Sequence, residues 1–374
     1  MRICYVADGT SLHTQRWLNY FAQRGHEVHL ICWKIMPGFN SSIQVHMLRR
    51  MMPKLWPLSQ YINFWRWPAE VKKIVATINP ELIDGHFITI YGFISARADF
   101  HPLVVTAWGS DVLVAAKKNP IFRWMANYAM NKADMVVCTA ENVKSEISNL
   151  GVDDRKVQVI VIGGIDAVKF HPMPKNQVLL QKFGIGPQEP VVISTRSLAP
   201  IYNVITLIQA IPTILSEIPA AKFIVCGKGN QENHLRELAR QLGIEKNVVF
   251  AGWVPHDDLA TYLSSSDVYV STSLSDGTSN CLLEAMACGL PAVVTDIPAN
   301  RPWIQESENG FLFPVRNSAV LANQVLKLLL SEKDRKDFGY KSRHMVEVKA
   351  DPEIEMQKLE GTYRKLIEDG RSRP

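Results

Sequence analysis

A chain of 374 residues, 47% hydrophobic and 21% charged, is too long for one core of ordinary size and points to two domains. Its formal net charge of +5 is unevenly placed: residues 1–165 hold 18 Lys and Arg against 12 Asp and Glu, leaving 23 against 24 for the rest. A basic first half fits an anionic partner such as a phospholipid surface or a lipid diphosphate, whereas no RRM, zinc-finger or helix-turn-helix pattern supports nucleic acid.

The chain enters a strand at once, residues 2–7, with no charged leader, and nowhere carries an apolar run long enough to cross a bilayer, so a cytoplasmic protein is expected. The loop Asp8-Gly9-Thr10-Ser11 leads to a helix with Trp17, Leu18, Tyr20 and Phe21, then to a second strand at 28–32. This is a βαβ opening whose ligand edge is the first loop. It lacks G-x-G-x-x-G, so a dinucleotide site is not supported. His13 either reaches this edge or lies on the exposed face of the helix. Residues 47–68 place three of the nine tryptophans, Trp56, Trp65 and Trp67, among Arg, Lys and Pro. That composition suits a bilayer headgroup region, and the segment reads as a membrane-contact or acceptor-binding flap, or as aromatics packed under the first domain. Strands at 82–87 and 103–107 carry His86 and Trp108-Gly109-Ser110-Asp111 at their carboxyl ends. After a strand at 135–139, Gly163-Gly164 allow the backbone angles of a hinge.

The second half opens with a strand at 191–195, followed by Arg196 and Tyr202. The strand at 222–226 ends in Gly227-Lys228-Gly229, and a strand from 248 leads to Trp253-Val254. After the strand at 266–272 comes Ser275-Asp276-Gly277-Thr278-Ser279-Asn280-Cys281-Leu282-Leu283-Glu284-Ala285-Met286-Ala287-Cys288-Gly289-Leu290-Pro291, a loop, a short helix and a turn before the strand at 292–295. Such a loop offers free amides and the positive end of a helix dipole to a phosphate. Two acids flanking an anion site suggest a ligand with hydroxyls as well. Alternatively, Asp276 shapes a turn and Glu284 complements the dipole.

The run from Asp276 to Pro291 resembles the signature of the retaining glycosyltransferases of family 4, in which two Glu at this spacing precede Ala-Met-Ala-x-Gly-x-Pro. The resemblance implies an α/β GT-B fold, two doubly wound Rossmann-like domains facing a cleft. Residues 1–165 form the acceptor side, 166–345 hold the nucleotide sugar, and 346–374 form a helix packing back on the first domain. It implies transfer, with retention, of a hexose-type sugar from a UDP- or GDP-linked donor to a hydroxyl of a lipid-linked or cell-surface glycan. The protein would then be peripheral at the inner face of the cell membrane, through residues 47–68.

The same resemblance assigns the site. Asp276, shorter than the usual Glu, lies beside the donor sugar. Glu284 binds the ribose, and the backbone of Gly277, Thr278, Ser279 and Asn280 holds the diphosphate. Arg196 stabilises the leaving group, Gly9 approaches the donor phosphates, and Trp253 or Val254 reads the base. Two customary groups are replaced: Tyr202 stands where a Lys grips the diphosphate, leaving Lys228 to substitute, and Trp108 stands where a His meets the sugar. His13, His86, Trp108 and Asp111 face sugar or acceptor, Asp111 binding a hydroxyl or only capping its turn. These replacements keep a second hypothesis open, a catalytically degenerate nucleotide- or sugar-binding protein. No Asp-x-Asp occurs, so no metal site and no cofactor beyond the donor are expected. Six scattered cysteines without C-x-x-C spacing read as buried thiols.

Overall fold

The computed structural model describes residues 1–49, 58–161 and 165–371 and divides into two compact units, Met1–Gly164 with Pro352–Pro374, and Ile165–Asp351. The hinge glycines Gly163 and Gly164, and Trp56, lie outside the described residues.

In the first unit β1 (Arg2–Val6), β2 (Glu27–Cys32), β3 (Gln44–Met47), β4 (Leu82–His86), β5 (Leu103–Ala107), β6 (Met135–Cys138) and β7 (Val157–Val159) form one parallel sheet in the order β3-β2-β1-β4-β5-β6-β7. Its central strands are buried along nearly their whole length, as expected when helices cover both faces. The helix Leu12–Gln23 is capped by Ser11 and buries Trp17, Leu18 and Phe21. The final helix, Pro352–Arg371, belongs to this unit. Met356, Leu359, Tyr363 and Ile367 recur at helical spacing and join the core under β1, where Tyr363 stacks on Phe21 at 5.3 Å. Arg24 and His26 close its edge on Glu360 at 2.9 and 3.1 Å.

In the second unit β8 (Val191–Ser194), β9 (Lys222–Cys226), β10 (Val248–Gly252), β11 (Val268–Ser271), β12 (Ala292–Thr295) and β13 (Gly310–Phe313) form a parallel sheet in the order β10-β9-β8-β11-β12-β13. The strand order reverses between β8 and β11, and a crevice opens at the carboxyl ends of strands at such a switch point. One expected boundary is corrected. Position 346 falls inside the helix Glu332–Lys349, which stays whole within the second unit because Gly339 lets it press against the backbone of Gly289. The chain leaves this unit only at Asp351.

Candidate functional site

Arg196 emerges from β8 and the Asp276–Asn280 loop from β11, so the switch point brings together residues eighty positions apart. Arg196 Nη2 donates to Asp276 Oδ2 at 2.6 Å and Nη1 to Ser279 Oγ at 2.9 Å. The guanidinium is buried, and its Nε–H has no partner among the described residues. Burial works most strongly against its charge, but the Asp276 carboxylate, together with the neighbouring Cys281, Tyr269 and Tyr202, holds its pKa above the usual value. Tyr202 supplies no cation; its ring lies under the guanidinium, 4.1 Å from centroid to Cζ. Asp276 Oδ1 accepts the Gly277 amide at 3.0 Å, and Ser279 caps the helix Asn280–Ala287. A fixed cation, a paired acid and a helix N-terminus thus share one edge.

Glu284, on the same helix, is buried, and its Oε1 lies 3.1 Å from His256 Nε2. Neither His256 nor its second neighbour, Lys169, stands out in the sequence, since 28 and 115 positions separate them from Glu284. Beside this edge a cavity of about 250 Å³ is lined by Thr195, Ser197, Cys226, Gly227, Lys228, Trp253, Val254 and Leu259. Gly227, at φ +115°, lies against the Arg196 carbonyl where no side chain would fit, and Lys228 O receives Leu198 N at 3.0 Å. Trp253 is 65% exposed, so its indole face is open to a planar ligand. Among the described residues no group of three His, Cys, Asp or Glu could hold a metal ion.

The first unit's edge is aromatic. Trp108 stacks on His13 at 5.2 Å and meets Trp17 at 5.3 Å and His86 at 5.2 Å, with Tyr5 closing on His86 at 5.3 Å. His13 and Trp108 remain half-buried. His86 is 1% exposed beneath them, its Nε2 3.6 Å from Asp84 Oδ2 and neither ring nitrogen hydrogen-bonded among the described residues, so in this conformation it does not reach a ligand. Asp111 takes the bland alternative: fully buried, it accepts amides of Ile88 at 2.8 Å, Gly109 at 3.0 Å, Val112 at 3.1 Å and Trp108 at 3.4 Å, which leaves no oxygen for an acceptor hydroxyl. Burial raises its pKa, and those amides pull the other way. Gly9 is explained by packing: a side chain there would strike the Lys34 carbonyl, and Gly9 bridges to Ile35.

The described residues of the 47–68 segment do not form one flap. Met47 ends β3, while residues 58–68 belong to the helix Leu58–Ile78, which keeps Pro68 inside it. Trp67 is buried and stacks on Trp33 at 4.6 Å, so it is a core residue. Trp65 is 56% exposed and Arg97 lies over its ring at 5.5 Å; Arg97 also covers Phe93, which contacts Trp124 at 5.3 Å. Trp124 and Ile121 are exposed on the helix Pro120–Lys132, which contains Arg123 and Lys132 and no acid. No described helix is long and apolar enough to cross a membrane.

Residues 2–140 match the family described as Glycosyl transferase 4-like, and residues 176–345 match Glycosyl transferases group 1. N-acetyl-alpha-D-glucosaminyl L-malate synthase of Bacillus anthracis is 24% identical over 97% of this chain and 94% of its own length. UDP-Gal:alpha-D-GlcNAc-diphosphoundecaprenol alpha-1,3-galactosyltransferase of Escherichia coli is 27% identical over 64% of this chain and 63% of its own. Among solved structures, sucrose-phosphate synthase from Thermosynechococcus elongatus superposes with a TM-score of 0.85 at 18% identity, covering 99% of this chain and 100% of that one. Anabaena Alr3699/HepE in complex with UDP-glucose gives 0.81 at 20% identity, covering 98% and 100%. The chain belongs to the family 4 glycosyltransferases of GT-B fold, enzymes that transfer a sugar from a nucleotide-sugar donor.

Proposed function

We propose that the second unit holds a UDP- or GDP-linked hexose at the β8–β11 switch point and that the enzyme transfers it, with retention, to a hydroxyl of a lipid-linked or cell-surface glycan. The observation that carries this is Arg196, a buried cation with an unpartnered Nε–H beside a helix N-terminus. A departing diphosphate needs that combination of fixed charge and amides. The diphosphate competes with Asp276 for Nη2, and its arrival frees the carboxylate to turn to the sugar. Asp276 then orients the sugar and supports positive charge at its reacting carbon. Attack from the face the nucleotide leaves passes the acceptor proton to the leaving phosphate, so positioning matters more than a strong base. No metal is called on: Arg196, Lys228 and the loop amides carry the charge. Glu284 takes the ribose, and the cavity beside Trp253 and Val254 takes the base.

Trp108 and His13 offer ring faces to a sugar on the first unit, in keeping with an acceptor side. The Escherichia coli relative, named for UDP-galactose and a diphosphoundecaprenol-linked acceptor, supports a lipid-linked acceptor here. The membrane surface is better served by Trp65, Arg97, Ile121 and Trp124 than by residues 47–68 as a block, because these side chains are exposed, neighbouring and basic-flanked. Placed against anionic lipid, they make the enzyme peripheral.

The test is release of nucleoside diphosphate from a panel of UDP- and GDP-hexoses with a polyprenyl-diphosphate-linked acceptor, the product's anomeric configuration being read by NMR. Release from one donor, lost in Asp276→Asn, with an axial linkage from an axial donor, is expected. Release from none would contradict this reading and leave the alternative, a degenerate binding protein, in its place.

A further inference from the structure

Glu284 carries two oxygens, and the structure shows what occupies one of them. Its side chain is buried, and Oε1 sits 3.1 Å from His256 Nε2. The other ring nitrogen, Nδ1, lies 2.8 Å from Lys169 Nζ, which also meets Asp257 Oδ1 at 2.5 Å. An ammonium only donates, so Nδ1 accepts, the ring proton resides on Nε2, and Nε2–H donates to Glu284. Phe170, next to Lys169 in the chain, meets the imidazole edge-on at 5.1 Å and 71° and holds its plane. Arg343 anchors both sides of this arrangement, donating to Phe170 O at 3.3 Å and Ala287 O at 2.8 Å.

We propose that His256, locked in its Nε2–H tautomer by Lys169, is a positioning residue for Glu284 in nucleotide binding. It occupies Oε1 and leaves Oε2 to accept from the ribose hydroxyls. The proposal rests on the reading of Glu284 as the ribose-binding acid. A carboxylate anchored by one oxygen pays less ordering entropy when the other engages a ligand. Asp257 draws the Lys169 ammonium to the ring and screens its charge from Glu284, so the relay directs a proton without adding a cation at the ribose.

The readout is the ratio of dissociation constants for a nucleoside diphosphate and its 2′,3′-dideoxy counterpart, measured by calorimetry on the full chain with the UDP and GDP pairs. The diphosphate contacts are common to both members, so the ratio isolates the ribose. Wild type is expected to favour the hydroxylated nucleotide by about tenfold or more. Glu284→Gln and His256→Leu should bring the ratio to within about twofold, and Lys169→Met should lower it partway. His256→Gln, whose amide can donate to Glu284 and accept from Lys169, should restore most of it. A residue that merely stabilises the loop would weaken both ligands alike and leave the ratio at the wild-type value. That result in His256→Leu, or in Lys169→Met should the first variant not fold, overturns the relay while leaving the ribose site standing. A wild-type chain that binds both ligands equally overturns the ribose reading and the relay together.

Discussion

The two sheets are built alike and end differently. Each is parallel and doubly wound, and each presents loops at its carboxyl edge, but the second edge spends its charged groups on one another and on an open site. There Arg196 pairs with Asp276 and Ser279, and Glu284 with His256, beside a cavity. The first edge spends its acids on the fold: Asp111 binds four amides, while Asp84 is buried under Thr106 and Tyr363. What faces outward there is the stacked pair His13 and Trp108. One architecture thus yields an edge suited to a diphosphate and another suited to ring faces, and side chains at strand ends make the difference.

That contrast can be broken first at Arg196. Arg196→Ala should lower turnover by roughly 10²- to 10³-fold, the usual cost of losing a preorganised charge on the leaving group, as read from nucleoside diphosphate release. A loss under threefold would mean that the second edge is not where the charge develops. The acids sharpen the comparison further. Asp111→Ala strands four amides and should destabilise the chain by about 2–4 kcal/mol, visible as a lower denaturant midpoint, with nucleotide affinity unchanged. Asp276→Asn, whose amide oxygen still accepts from Arg196, should cost less stability than Asp111→Ala and most of the activity. Equal stability losses would erase the distinction between a structural and a functional acid. A smaller effect is expected at Tyr202→Leu, which removes the ring under Arg196, worth roughly 1 kcal/mol, and should slow turnover about fivefold. The smallest expected effect on soluble donor chemistry belongs to Trp65→Ala with Trp124→Ala. This pair should leave donor hydrolysis intact yet reduce sedimentation with anionic vesicles, and sedimentation equal to wild type would remove the membrane face.

Much of this was legible in the sequence. The largely apolar runs at 103–107 and 222–226 are strands from end to end, because a sheet covered on both faces needs near-continuous apolar residues. The Asp276–Glu284 run could be found because glycine, hydroxyl and acid residues cluster after a strand, whereas Arg196 is reached only through the family resemblance. Asp111 could not be resolved the same way: an acid in a turn looks alike whether it serves amides or a ligand, and only its burial decides. Trp67 and Trp65 differ by two positions, yet one faces the core and the other solvent, a consequence of helical rotation in a stretch read as a single flap or a single packed cluster. Lys169 and His256 carry no local pattern at all. Their meeting depends on the chain returning to the β10 edge from the start of the second unit, which periodicity does not encode.

The most direct measurement is calorimetric titration of UDP and GDP into the wild-type chain, Glu284→Gln and Trp108→Ala. If the second edge binds the nucleotide, one of the two ligands binds wild type, Glu284→Gln weakens it by about tenfold, and Trp108→Ala stays within about twofold. Affinity kept in Glu284→Gln and lost in Trp108→Ala would place the nucleotide on the first unit and contradict the division of labour between the two edges.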